Sequence, residues 1–311
     1  MTLFQAVATY VVSKQSLGMR FATEARTLKS FSRTIGDVDL DRVEPQQVRA
    51  YLDGDGPLTS FWHRKLEVLR GFYRFACARG YVTGTPLPMT VPQRPQPFVP
   101  YIYSQDEVRR LIEATTSCNC KNLSPLTCKT LLLVLYATGL RISEALGLDL
   151  ADVDFESGLL HIRESKFYKS RLVPTGADLT RVLATYARQR NQHPPTTPDA
   201  PFLLTCRGQR PSRAAAEASF RKIRECAQVR RYDGSRYQPR LHDFRHSFAV
   251  TRLVRWYREG ADVQHLLPQL ATYLGHVHIG GTQRYLSMTP ELLRQASLRF
   301  ERYAMRGNDY A

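Results

Sequence analysis

The chain has 311 residues, more than the roughly 100–200 of a typical domain, so two domains are expected. Its 43% hydrophobic and 23% charged residues form an ordinary core-forming mixture, which excludes a disordered chain. Forty-four Lys and Arg against 28 Asp and Glu leave a net charge of +16. That excess favours a polyanionic partner, nucleic acid first, because neutralising backbone phosphates releases condensed counterions.

The opening "MTLFQAVATYVVSK" has no basic stretch ahead of its apolar residues and does not read as a secretory signal. The longest apolar run, "LLLVLYA" at 131–137, falls far short of the ~20 residues a membrane span needs. A soluble, cytoplasmic protein is the expectation. Six cysteines suit reduced thiols better than a disulfide scaffold. Cys118, Cys120 and Cys128 lack the C-x2-C pairing of a zinc site and read as loop or packing thiols.

Helices are expected through the first eighty-odd residues. "FQAVATYVVSKQ" and "FATEARTLKSFSRTIG" carry helical spacing, the second ending on Gly36; "VEPQQVRAYLDG" has Pro45 in its first turn and stops at Gly54. "TSFWHRKLEVLRGFYRFACARG" runs from a Thr59 or Ser60 cap to Gly80. Trp62, Leu66, Leu69, Phe72, Tyr73 and Ala76 mark its apolar side. Arg64, Lys65, Arg70, Arg74 and Arg79 mark the other side, a face that is either solvated or turned to DNA. Residues 86–100 then break the pattern. Pro86, Pro88, Pro92, Pro95, Pro97 and Pro100 exclude helix and central strand, and a semi-rigid spacer of this kind is the expected domain boundary. Such a linker would let two domains sit on opposite sides of a rod-like ligand.

Beyond it, "SQDEVRRLIEAT" carries a capping box, Ser104 with Glu107. "LTCKTLLLVLYATGLRISEALGL" reads as a buried helix, a break at Thr138-Gly139 and a second helix. "LLHIRESKFYKSRLVP" reads as two short strands around a basic turn. "SRAAAEASFRKIRECAQV" and "LHDFRHSFAVTRLVRWYREG" are further helices, and "TPELLRQASLRFERYA" is a last one, capped by Thr289 with Pro290 in its first turn. The expected fold class is mainly α with a small β-sheet.

Several polar residues stand where apolar ones would be expected: Arg141 after the Gly139 break, Lys166 in the hairpin turn, His242 and Arg245 at i and i+3, His276 after Gly275, and Tyr285 nine residues further on. "LHDFRHSFA" by itself fits a metal site, a phosphate clamp or a buried polar patch. As a set, the residues suit phosphoryl transfer. Arg forks hold non-bridging oxygens, a phenol is a workable nucleophile, histidine takes its proton and lysine protonates a departing alkoxide. The metal reading, His242 with His246, lacks a third ligand.

The stretches "ATGLRISEALGL", "SKFYKSRLVP", "LHDFRHSFA" and "YLGHVHIGGTQRYL", in that order, resemble the tyrosine recombinase, or phage integrase, family. "LTSFWHRKLEVLRGFYRFACARGYVTGTP" resembles that family's core-binding domain, and "GADVQHLLPQLATYLGHV" is similar to integrases of bacterial mobile elements. The resemblance implies a helical, SAM-like core-binding domain over 1–85, a Pro-rich linker over 86–100 and a tyrosine recombinase catalytic domain over 101–311. It implies that Tyr285 attacks the scissile phosphate to give a 3′-phosphotyrosyl bond and a free 5′-hydroxyl, and that Arg141 and Arg245 clamp the phosphate. His242 is implied as proton acceptor or phosphate ligand, His276 as a hydrogen-bond donor to the phosphate, Lys166 as general acid with Lys169 its competitor, and Glu144 as support beneath Arg141. His246 is left to packing or support, and His278 has no role. No cofactor and no metal is implied. The implied partners are double-stranded DNA with specific sites and further copies of the chain, as a tetramer, in a bacterial cytoplasm. The last helix docks either on its own domain or on a neighbour. A type IB topoisomerase-like enzyme and a DNA-binding regulator without catalysis are the alternatives.

Overall fold

A computed structural model describes the chain except residues 96–98, 164–169, 193, 236, 277, 288–289 and 308–311. It divides into two compact units, Met1–Phe98 and Val99–Ala311.

The first unit is four helices, α1 (Leu3–Ser16), α2 (Ala22–Ile35), α3 (Pro45–Asp53) and α4 (Ser60–Ala78). Their ends follow local chemistry. Thr2 and Gln5 close a capping box on α1, Glu44 and Gln47 another on α3, and the Thr59 hydroxyl accepts from the Phe61 amide at the start of α4. Leu3, Leu28, Phe31, Leu52, Leu66, Leu69 and Phe72 are almost wholly buried together. At about 1.5–3 kcal/mol for each large side chain, that burial offsets the entropy of ordering the bundle. The proline-bearing stretch 86–95 forms neither helix nor strand.

The second unit begins with α5 (Gln105–Ser117), opened by the Ser104/Glu107 box, and α6 (Pro125–Thr138), an almost wholly apolar helix. α7 (Ile142–Gly147) follows the turn at Gly139. A three-stranded antiparallel sheet comes next, β1 (Val153–Asp154), β2 (Leu159–Ile162) and β3 (Arg171–Pro174), with Leu160 opposite Val173. Sequence reading expected β2 and β3 and missed the two-residue β1. Then come α8 (Ala177–Arg190), α9 (Arg213–Cys226), α10 (Asp243–Arg258), α11 (Val263–Leu274), the short α12 (Gly280–Gln283), a 3-10 turn over Arg284–Ser287 and α13 (Pro290–Gly307). α8 also escaped sequence reading; Gly176 at its start offers no capping side chain. The expected Thr289 cap lies outside the described residues. Cys118 and Cys128 are buried among apolar neighbours, as packing thiols.

Two apolar clusters make up this unit. One gathers Leu111, Leu135, Leu160, Val173, Phe202, Phe220 and Phe244; the other gathers Phe248, Leu253, Leu267, Leu274, Tyr285 and Leu292. α10 serves both, with Phe244 in the first and Phe248 in the second. The turn between them, Arg245 to Ser247, therefore lies at the seam, and its polar side chains are buried. Ser247 is satisfied there: its hydroxyl accepts from the Tyr103 amide at 2.9 Å and donates to the Asp243 carbonyl at 2.9 Å.

Candidate active site

The seam is built around the C-terminal end of α11. Three successive carbonyls there each receive a different guanidinium. Arg171 Nε donates to the Tyr273 carbonyl at 2.8 Å, Arg245 Nη2 to that of Leu274, and Arg141 Nη2 to that of Gly275 at 2.8 Å. A helix C-terminus carries unpaired carbonyls and a partial negative charge, so it is a natural anchor for cations. Gly275 ends the helix in a left-handed conformation, φ 67°. A Cβ at that position would lie 3.0 Å from Arg171 Nη1 and 3.4 Å from Arg141 Nη1, so glycine also makes room for the two cations.

Gly139 does the same service on the other side. It ends α6 with φ 62°, and its carbonyl accepts from Arg245 Nη1 at 2.9 Å. A Cβ there would sit 2.6 Å from a ring carbon of Phe248, which leaves little freedom for any other residue.

Glu144 holds the cations together. Its carboxylate accepts from Arg141 Nη1 at 2.7 Å and from Arg171 at 3.0 and 2.8 Å, a forked pair, and caps α7 through the Arg141 amide at 2.9 Å. Burial alone would raise its pKa, but the hydrogen bonds and charge of Arg171, and then the bonds from Arg141, outweigh that and hold the carboxyl at about 2. Arg245 is 2% exposed, and burial and the neighbouring Arg141 charge press it down to about 10; it still carries its charge at neutral pH. Arg171 was missed from sequence. Its signal was no more than a basic residue opening the strand of "SRLVP", next to the basic turn.

The aromatic members lie beside the cations. Tyr285, in the 3-10 turn, is 2% exposed, and its hydroxyl lies within the electrostatic reach of Arg245. Burial raises its pKa, against the charges of Arg245 and Arg284. Its ring stacks on His276 at 6.1 Å between centroids and meets His246 edge-on at 5.5 Å. His246 in turn stands perpendicular to His242 at 5.0 Å. His276 Nδ1 is paired with the Thr282 hydroxyl at 2.7 Å, and Thr282 is fully buried; a partner of this kind fixes which way the ring points. Thr282 is a second residue that sequence reading missed.

All three histidines are held below the usual range. Burial and then the charges of Arg245 and Arg141 bring His276 to about 4, and burial, His242 and Arg284 bring His246 to about 3. His242, at the start of α10, has an exposed ring; surrounding protein and the charges of Arg245 and Arg240 lower it. All are therefore neutral at pH 7.

Five of the six expected site residues thus meet in one place: Arg141, His242, Arg245, His276 and Tyr285. Lys166 and its competitor Lys169 lie outside the described residues. His278 is exposed and away from these contacts. Among the described residues, no three His, Cys, Asp or Glu side chains are grouped so as to hold a metal ion, and no helix is long and apolar enough to cross a membrane.

Comparison with known proteins agrees with this architecture. Residues 102–291 match the model of the phage integrase family. A putative integrase/recombinase of Sinorhizobium fredii, y4rB, is 36% identical over 307 residues, covering 97% of this chain and 98% of the relative. The tyrosine recombinase XerC of Oceanobacillus iheyensis is 32% identical over 243 residues, 76% of this chain and 72% of its own. Among solved structures, the Tn1549 transposon integrase in complex with transposon right end DNA superposes with a TM-score of 0.71 at 16% identity, over 98% of this chain and 100% of that one. A lambda integrase dimer bound to a core site gives 0.70 at 17% identity, over 93% and 97%. With the family model matched across most of the second unit and a relative aligned from end to end, the chain belongs to the phage integrase family and is a tyrosine-type DNA recombinase.

Proposed function

We propose that this recombinase cuts and rejoins double-stranded DNA at specific sites through Tyr285, in the integration or excision of a mobile element. One observation carries the assignment of the nucleophile. Buried Tyr285 stands in the same subunit as Arg245 and Arg141, close enough for both charges to act on its hydroxyl, with its ring against those of His246 and His276. A phosphate entering there meets two fixed guanidiniums whose spare N–H groups suit non-bridging oxygens. The phenol gives its proton to His242, and its oxygen forms a bond to phosphorus. The bond to the 5′-oxygen breaks, and Lys166, or Lys169 in its place, returns a proton to that oxygen. The products are a 3′-phosphotyrosyl bond and a free 5′-hydroxyl, and the reverse reaction with a new strand completes the exchange. His276 donates to the phosphate, and Glu144 keeps Arg141 aimed.

The domain roles follow the same reading. Residues 1–85 bind DNA as a core-binding domain, 86–100 link, and 101–311 catalyse. The net charge of +16 supports a partner of strong negative charge, and DNA in turn supports a cytoplasmic site of action. Solved structures with this fold include a lambda integrase tetramer bound to a Holliday junction, with a TM-score of 0.67 at 16% identity over 92% of this chain and 77% of that one, which supports a tetramer on paired sites here as well.

The test is a nicked substrate carrying candidate element ends. A covalent protein–DNA complex should accumulate with the native chain and be absent with Tyr285→Phe, while DNA binding is retained. A Tyr285→Phe chain that still forms the complex would overturn the assignment.

A further inference from the structure

Among the described residues, a buried ring nitrogen in the site has no hydrogen-bond partner. His246 is 7% exposed, and among the described residues its Nδ1 makes no hydrogen bond. A buried polar atom left unpaired costs about 1–3 kcal/mol, so its retention at the centre of a reaction site calls for a partner in another state. The candidates are limited by what surrounds the ring. His242 faces it perpendicularly, Tyr285 edge-on, and Arg240, Arg245 and Arg284 supply the nearby charge. Of these, the phenol oxygen is the one that calls for a further donor during the reaction, because it becomes more negative before it joins phosphorus, whereas His242 gains a proton and becomes a donor itself.

We infer that His246 is a further catalytic residue: its imidazole donates from Nδ1 to the Tyr285 oxygen as that oxygen loses its proton, and again when it departs in strand rejoining. This rests on Tyr285 being the nucleophile. The step balances without another reactant. The phenol proton goes to His242, the oxygen's electron pair forms the bond to phosphorus, and His246 keeps its own proton throughout. Its surroundings favour that role. Burial and neighbouring cations keep the ring neutral, so it donates one hydrogen bond without adding a charge that would hold the phenolate too tightly to react. It adds a donor to the positive charge that Arg245 already brings near that oxygen, and a donor aimed at a developing anion is worth more in a site closed to water than in solution.

The experiment uses the full chain and three substitutions. In His246→Asn the side-chain amide stands where Nδ1 was; in His246→Gln it reaches toward the position of Nε2; in His246→Phe the ring remains without nitrogen. The readouts are single-turnover formation of the covalent complex at saturating nicked DNA, its pH dependence, DNA affinity and melting temperature. His246→Phe and His246→Gln should cleave at least tenfold more slowly, with the alkaline rise of the rate moved to higher pH, while affinity is unchanged. His246→Asn should recover to within about threefold of the native rate. His246→Phe should melt no lower than the native chain, since it removes an unpaired buried nitrogen. A His246→Phe chain that cleaves at the native rate, or three variants slowed alike, overturns the inference. A native chain that forms no complex through Tyr285 instead overturns the reading on which it rests.

Discussion

At the scale of single residues, Glu144 is the most consequential group that touches no DNA in the proposed reaction. Replacing it with Gln removes the charge shared by Arg141 and Arg171, and breaking a buried pair of this kind costs about 3 kcal/mol; urea unfolding measures it. Its pKa also sets a pH signature. An acid held at about 2 in the folded state, against an ordinary 4.5, contributes stability that is present above pH 4.5 and is lost as pH falls toward 2. Glu144→Gln should flatten the native chain's loss of melting temperature across that window. The histidines act at higher pH. His276, held at about 4 against an ordinary 6.5, adds stability present above pH 6.5 and lost as pH falls toward 4. Thr282→Val keeps the volume but takes the partner from His276 Nδ1. Covalent-complex formation should fall by less than the roughly hundredfold or more that a positioned catalytic group contributes, since the ring stays in place and loses only its aim, while DNA affinity measured alongside stays close to native. Neither Thr282 nor Arg171 stands out from sequence: Arg171 acts on a carboxylate 27 positions away, and Thr282 reaches His276 across an irregular six-residue stretch with no repeating pattern.

At the scale of elements, the site depends on where helices end. α6 and α11 both stop on a left-handed glycine, and the carbonyls they leave open receive Arg245 and Arg141. Gly139→Ala should cost at least 2 kcal/mol. A left-handed alanine costs roughly 1 kcal/mol by itself, and its Cβ would also press on Phe248. Gly18→Ala is the control, since φ is 76° there but nothing lies within 4 Å of the added carbon; only the backbone cost should appear in the unfolding curve. Helix periodicity in α2 to α5, α9 and α10 was legible because one apolar face per helix repeats in the sequence, and α6 was legible as an apolar run ended by Gly139. α8 was not, for want of a capping side chain, and β1 is too short to show a period. The hairpin of β2 and β3 was legible from its alternation. Its basic turn, with Lys166 and Lys169, lies outside the described residues.

At the scale of the whole molecule, the charge excess governs how the chain meets DNA. If six or more phosphates are neutralised, affinity should fall about a thousandfold between 50 and 200 mM salt. Tyr285→Phe should show the same slope in a filter-binding titration, because the buried phenol carries no charge at neutral pH. A much shallower slope in the native chain would count against an extended phosphate-binding surface.

The sequence by itself determined the family, the mainly helical class with its small sheet, and the residue types from which the site is made. Those properties are written in local periodicity, capping residues and the order of short motifs. Tertiary structure alone decided that Arg171 shares Glu144 with Arg141, that three carbonyls of one helix end hold three arginines, and that His246 is buried edge-on against Tyr285 with a ring nitrogen unpaired among the described residues. The physical reason is the separation these contacts span. Arg141 reaches a carbonyl 134 positions away and Arg245 one 106 positions away, and the direction of a hydrogen bond across such a gap is set by packing that no local pattern encodes.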